Sequence, residues 1–286
     1  MVISFRSLGA VVLLFGSSTV TTLRAQGAPA PAGYTLVWAD EFNADGWPDP
    51  RNWTHEHGFV RNQEQQWYQA DNAVVKGGQL VIEARREARP NPQFEAGSTD
   101  WRRNRAASEY TSSSISTRGL QSFQYGRFEM RARIDIRSGM WPAFWTLGDA
   151  GRWPANGEID IMEFYRGNLL ANVAWADSNG KAVWRDTRTP VAGLGGAEWA
   201  SRFHVWRMDW DEDEIRLYVD DRLLNSTDVK AAANGGGGAR NPLRQPHYIL
   251  LNLAIGGMNG GDPSATTFPA RYEIDYVRVY QKTDKR

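Results

Sequence analysis

Glu158, Asp160 and Glu163 fall within one short run, Gly157-Glu158-Ile159-Asp160-Ile161-Met162-Glu163. The isoleucines between the acids give this run the alternation of a β-strand, whose side chains point to opposite faces in turn. Glu158 and Asp160 then share one face, and Ile159 and Ile161 pack on the other. Strict alternation would set Met162, not Glu163, beside the acids. A β-bulge between Asp160 and Glu163, placed most simply at Met162, is therefore expected to return Glu163 to the acidic face.

Three carboxylates on one half-buried wall repel one another, and the usual outcome is one held ionised and another held protonated near neutral pH. Retaining cleavage of a glycosidic bond needs that division, with a carboxylate nucleophile and an acid about 5–5.5 Å apart. An ionised Asp160 beside Glu158 would help by keeping Glu163 protonated until it donates. A solvated edge strand with an acidic outer face would show the same bare pattern. The pattern alone also leaves Glu158 and Glu163 interchangeable as nucleophile and acid.

Such a wall needs a large sheet behind it, and the chain reads as strand after strand. Residues 79–85 follow a Gly77-Gly78 turn, residues 127–136 alternate through Phe128, Met130, Ala132 and Ile134, and residues 204–210 alternate through Trp206 and Met208. Residues 215–219, Asp220-Asp221 and residues 222–224 predict a hairpin. Residues 248–255 are almost wholly apolar, which suits a strand buried on both faces. No long helical periodicity competes. The expected architecture is all-β: a two-sheet antiparallel sandwich, a jelly roll, with a cleft across its concave sheet. Three segments, 88–105, 186–199 and 231–241, read as loops, the first carrying Arg102, Arg103 and Arg105 as a basic cluster.

Just before the acids stand Ser138-Gly139-Met140-Trp141-Pro142-Ala143-Phe144-Trp145-Thr146-Leu147-Gly148 and Gly151-Arg152-Trp153-Pro154-Ala155-Asn156. With the acidic run they closely resemble family 16 of the glycoside hydrolases, the laminarinase and lichenase family. Val37-Trp38-Ala39-Asp40-Glu41-Phe42, Asn62-Gln63-Glu64-Gln65-Gln66-Trp67-Tyr68 and Glu273-Ile274-Asp275-Tyr276-Val277-Arg278-Val279 resemble its opening strand, its N-x-E-x-Q-x-Y segment and its closing strand. The resemblance implies a concanavalin-like sandwich and a retaining, endo-acting hydrolase. It makes Glu158 the nucleophile and Glu163 the general acid/base, with Asp160 supporting the pair. It places Asn62 and Glu64 at the non-reducing side of the cleft, and it implies a structural Ca²⁺ held by Glu41, Gly78 and Asp275, with no cofactor for catalysis.

Thirteen tryptophans suit a sugar polymer, because the C–H face of a pyranose packs on an indole as on other apolar surfaces. Trp153, in a Gly- and Pro-rich turn, is expected to contact sugar. Trp141, Trp145 and Trp175 are candidates for the cleft, with core packing the alternative for Trp145. Trp175 stands where many laminarinases carry a histidine pattern, which loosens the assignment to glucan. The expected substrate is β-1,3-glucan or mixed-linkage β-glucan; agarase- or carrageenase-like galactan hydrolases and transglycosylases of the same family share the acids. A non-catalytic sugar-binding sandwich is the other class, though it has no reason to align three carboxylates.

Residues 1–25, with an apolar stretch from Leu8 to Phe15 and Leu23-Arg24-Ala25 at its end, read as a signal peptide, too short to span a membrane. Residues 26–33 read as a flexible leader, and residues 34–283 as a single catalytic domain that acts as a monomer outside the cell or in the periplasm. The chain has no cysteine and a formal net charge of +0. No disulfide framework is available, and no basic surplus favours nucleic acid or an anionic membrane. His55 and His57 lack a third partner for zinc, while His204 and His247 are expected to satisfy local hydrogen bonds.

Overall fold

The computed structural model describes residues 29–235 and 241–283. The signal peptide read at 1–25 and the first part of the leader lie outside the described residues. The rest builds two eight-stranded antiparallel sheets packed face to face, a β-sandwich of jelly-roll type.

One sheet runs in the order Arg222–Asp228, Glu214–Val219, His204–Trp210, Gly126–Arg133, Ala270–Lys282, Gln79–Ala84 and Ala73–Lys76, with Tyr34–Asp40 also paired to Ala270–Lys282. The other runs Ala182–Arg185, Asn168–Ala176, Glu158–Tyr165, Met140–Gly148, His247–Ile255, Ser114–Ser116 and Thr54–His55, with Arg188–Pro190 also paired to Asn168–Ala176. The expected hairpin forms between Glu214–Val219 and Arg222–Asp228.

Alternation decides which residues meet between the sheets. Phe128, Met130 and Ala132 of one sheet and Phe144, Ile159 and Ile161 of the other are fully buried in a shared core. Each such side chain contributes about 1.5–3 kcal/mol, or less for alanine, which is what holds a chain without disulfides. All of His247–Ile255 is buried, as its apolar run predicts. Ile249, Leu251, Leu253 and Ile255 face the inter-sheet core, while Tyr248 and Leu250 join Ala143 and Trp145 in a second cluster on the opposite face. The segment 186–199 is more ordered than its composition suggests: it holds the strand Arg188–Pro190, a 3-10 turn at Val191–Leu194 and the start of the helix Gly196–Ala200. Trp199 anchors it, stacked 3.9 Å from His204 and edge-on to Trp206.

Candidate active site

The acidic strand begins after Gly157, whose φ of 78° favours glycine and where a Cβ would stand 2.9 Å from the side chain of Pro242. Against Asn168–Ala176, Asp160 pairs with Asn172 and Glu163 with Leu170, so Ile161 and Met162 share the space opposite one residue. Against Met140–Gly148, Met162 still pairs with Phe144 and Asp160 with Trp145. The bulge is therefore present, but the extra residue on that side is Ile161, not Met162. Both are fully buried in the core. Two successive inward side chains restart the alternation and turn Glu163 to the acids' face.

Cross-strand pairing sorts that face into rows. Leu147, Glu158, Ala174 and Trp184 form one; Trp145, Asp160 and Asn172 the next; Asn252, Ala143, Glu163, Leu170 and Arg188 the third. Over them lies a cleft of about 930 Å³, lined by Glu158 and Glu163 and by Trp141, Trp145, Trp153, Asn62 and Glu64. Asp160 sits beneath, buried between the two glutamates.

Neutral donors hold the acids. The Trp153 indole N–H donates to Glu158 Oε2, and that of Trp141 donates to Glu163 Oε1 at 2.8 Å. The Asn172 amide reaches Asp160 Oδ2 and Glu163 Oε2, each at 3.3 Å. Burial raises all three carboxyls above their ordinary range. For Glu158 the hydrogen bonds from Asp160 and Trp153 and the charge of Arg61 pull the other way. Glu163 is pushed up to about 7 by burial, against the Trp141 hydrogen bond and with a further push from the charge of Glu158. Asp160 stands well above its usual range through burial, then through the charges of Glu163 and Glu158. Burial and the two neighbouring acids thus push Asp160 towards its protonated form, the opposite direction from the expectation of an ionised Asp160.

At the other end of the cleft, Asn62 Nδ2 donates to Glu64 Oε1 at 3.3 Å and Gln66 Nε2 to Glu64 Oε2 at 2.7 Å. Trp145 donates to Asn252 Oδ1 at 2.7 Å and carries Arg61 over its ring at 5.2 Å, so it serves both packing and cleft. Of the basic cluster, Arg102 lines the cleft beside Asp100, Arg103 pairs with Glu95, and Arg105 donates to the Glu64 and Gln63 carbonyls.

Trp175 is the one sugar-contact candidate placed elsewhere. It packs against the core between the sheets, because it is three residues from Asn172 and so on the opposite face of its strand. Trp184, unmarked in the sequence, lines the cleft instead. His204 bonds Asp220 and the Trp199 carbonyl, and His247 bonds Thr146 and the Pro242 carbonyl, as expected of structural histidines. Of the residues implied as calcium ligands, Glu41, Gly78 and Asp275, the two acids are engaged by arginines. Both Glu41 oxygens accept from Arg278 at 2.6 and 2.8 Å, and Asp275 accepts from Arg131 at 2.6 Å. Among the described residues no three His, Cys, Asp or Glu side chains converge.

The sequence pattern of glycosyl hydrolases family 16 matches residues 60–278. The chain belongs to this family. A β-glucanase of Rhodothermus marinus is 38% identical to the family 16 chain, over 94% of this chain and 92% of the relative. The laminarinase catalytic domain of Thermotoga maritima superposes with a TM-score of 0.72 at 32% identity, covering 88% of this chain and 99% of that one. A structure from work on endo-acting O-glycanases of human gut bacteria that initiate mucin breakdown superposes at 0.81 with 34% identity, covering 89% and 93%. As a family 16 member the protein is a glycoside hydrolase working by double displacement with retention.

Proposed function

We propose that this enzyme cuts internal linkages of a β-1,3-glucan or mixed-linkage β-glucan, with Glu158 as nucleophile and Glu163 as acid and base. The observation that carries the assignment is the unequal company of the two glutamates. Both accept hydrogen bonds, but Glu158 also feels the positive charge of Arg61, which supports its anion, while Glu163 is pushed up to about 7 by burial and by the charge of Glu158.

In the first step Glu158 attacks the anomeric carbon as the glycosidic C–O bond breaks, and Glu163 passes its proton to the leaving oxygen. A water then gives a proton to Glu163 and its oxygen to the anomeric carbon, releasing Glu158 and restoring the β configuration. A sugar hydroxyl in place of the water would give transglycosylation. Asp160, buried between the two glutamates, supports Glu158.

The glucan reading is supported by the names of the Rhodothermus and Thermotoga relatives. A second reading, a mucin O-glycan, draws on the higher structural similarity to the O-glycanase work, beside the galactans that the same acids could cleave. Early product profiles on laminarin, mixed-linkage glucan, agarose, carrageenan and a mucin O-glycan decide between them. Mid-sized oligosaccharides from laminarin are expected; monosaccharide released from chain ends would defeat the endo assignment. Residues 1–25 would direct the enzyme out of the cytoplasm, to work as a monomer, and the N-terminal sequence of the mature protein checks the cleavage.

A further inference from the structure

We infer that Trp184, with Trp153, forms a stacking platform for the sugar on the leaving-group side of the scissile bond; this rests on the glycan-hydrolase reading above and on Asn62 and Glu64 marking the non-reducing side. Trp184 lies in the same cross-strand row as the nucleophile, since Glu158 pairs with Ala174 and Ala174 with Trp184. Two strand spacings put it about 10 Å from Glu158 along the cleft. Asn62 and Asn252 lie on the other side of the acidic strand, beyond Met140–Gly148.

The two ends of the cleft thus differ in chemistry. Amides and a buried carboxylate gather at one. At the other, two indoles stand partly in solvent, Trp153 at 52% and Trp184 at 42% exposure, with ring centroids 6.5 Å apart and planes inclined at 48°. Adjacent half-exposed indoles in a cleft mark a ligand surface. Their tilt offers a shallow trough to the C–H face of a pyranose, while Trp153 also bonds the nucleophile. Ala174 is the one residue between Glu158 and Trp184 in the row, so the row itself puts no bulky side chain between the nucleophile and this platform.

The test compares Trp184→Ala and Trp184→Phe with the parent on β-1,3-gluco-oligosaccharides of increasing length, labelled with ¹⁸O at the reducing end, and on an aryl glycoside whose leaving group is a phenol. Trp184→Ala should lose about tenfold in kcat/KM on oligosaccharides that extend past the scissile bond, the change that ~1.4 kcal/mol of contact carries. Cleavage should shift towards the reducing end, Trp184→Phe should recover most of the loss, and the fall on the aryl glycoside should be several-fold smaller. An equal fall on both substrate types would make Trp184 a structural residue. An unchanged cleavage pattern, or a shift towards the non-reducing end, would overturn the placement. A parent that cleaves none of the gluco-oligosaccharides defeats the glucan reading instead, and the same series on galacto-oligosaccharides then tests the platform.

Discussion

The two sheets keep their acids in different company. On the sheet away from the cleft, Arg127 pairs with Asp209, Arg131 with Asp275, Arg133 with Glu273 and Arg278 with Glu41. Burial would raise Glu83, yet Arg85 and Arg271 hold it below its ordinary value. On the cleft sheet, Glu158, Asp160 and Glu163 bond indoles, an amide and one another. Among the described residues, no arginine or lysine makes an ion pair with any of the three. A guanidinium in contact fixes a carboxylate as its anion, which suits a scaffold. Burial among neutral donors leaves the proton free to move near neutral pH, which suits a catalyst.

The contrast breaks first at the catalytic glutamates. Glu158→Gln and Glu163→Gln should each lower kcat by at least about 10³-fold while the melting curve stays cooperative. Azide added to Glu163→Ala should give the β-glycosyl azide, and added to Glu158→Ala the α-azide; exchanged products would exchange the roles. The pH profile is the next test. Glu163 must carry its proton to donate it, so kcat/KM should fall as pH rises through about 7. Trp141→Phe removes a hydrogen bond that lowers this pKa, so its alkaline limb should move to higher pH, and a limb that moves down would contradict the arrangement.

A raised pKa also bears on stability. The contribution of Glu163 is fully present below its ordinary value of 4.5 and is lost as pH rises through about 7. Glu163→Gln cannot ionise, so between pH 4 and pH 8 it should gain about 1–3 kcal/mol on the parent, read by urea unfolding at both pH values. A parallel decline would show that Glu163 ionises in the folded enzyme without penalty. The smallest effects belong to the other sheet. Asp275→Asn should cost no more than about 1 kcal/mol and leave the pH profile alone, because the pair it breaks is partly exposed. EDTA should leave Tm unchanged; a fall that calcium reverses would return Glu41 and Asp275 to the role of cation ligands.

How far the sequence could be read follows from how local each signal is. The acidic strand, its bulge and the tryptophans before it are written in adjacent residues, so their existence and facing were legible. Trp175 was not, because Leu169 to Ala174 is apolar on both faces apart from Asn172, and only the parity of that asparagine reveals which way the tryptophan turns. Trp184 sits in a four-residue strand with no periodicity to flag it. The direction in which Asp160 is pushed is not legible in the sequence, because three carboxylates in a row look alike until Trp141, Trp153 and Asn172, from three other segments, come to rest on particular oxygens.

The bulge gives this strand an unusual tolerance. In an ordinary strand, losing one residue inverts every side chain beyond the cut and would expose a core. Here Ile161 and Met162 point the same way, so deleting either one leaves Glu158, Asp160 and Glu163 on one face and Phe164 on the other. The chain could shorten between its two catalytic groups without any change of facing, altering only their separation and the bend of the strand. A lineage carrying this fold therefore has a single-codon step by which to retune the geometry of its acids while the core behind them keeps its pattern.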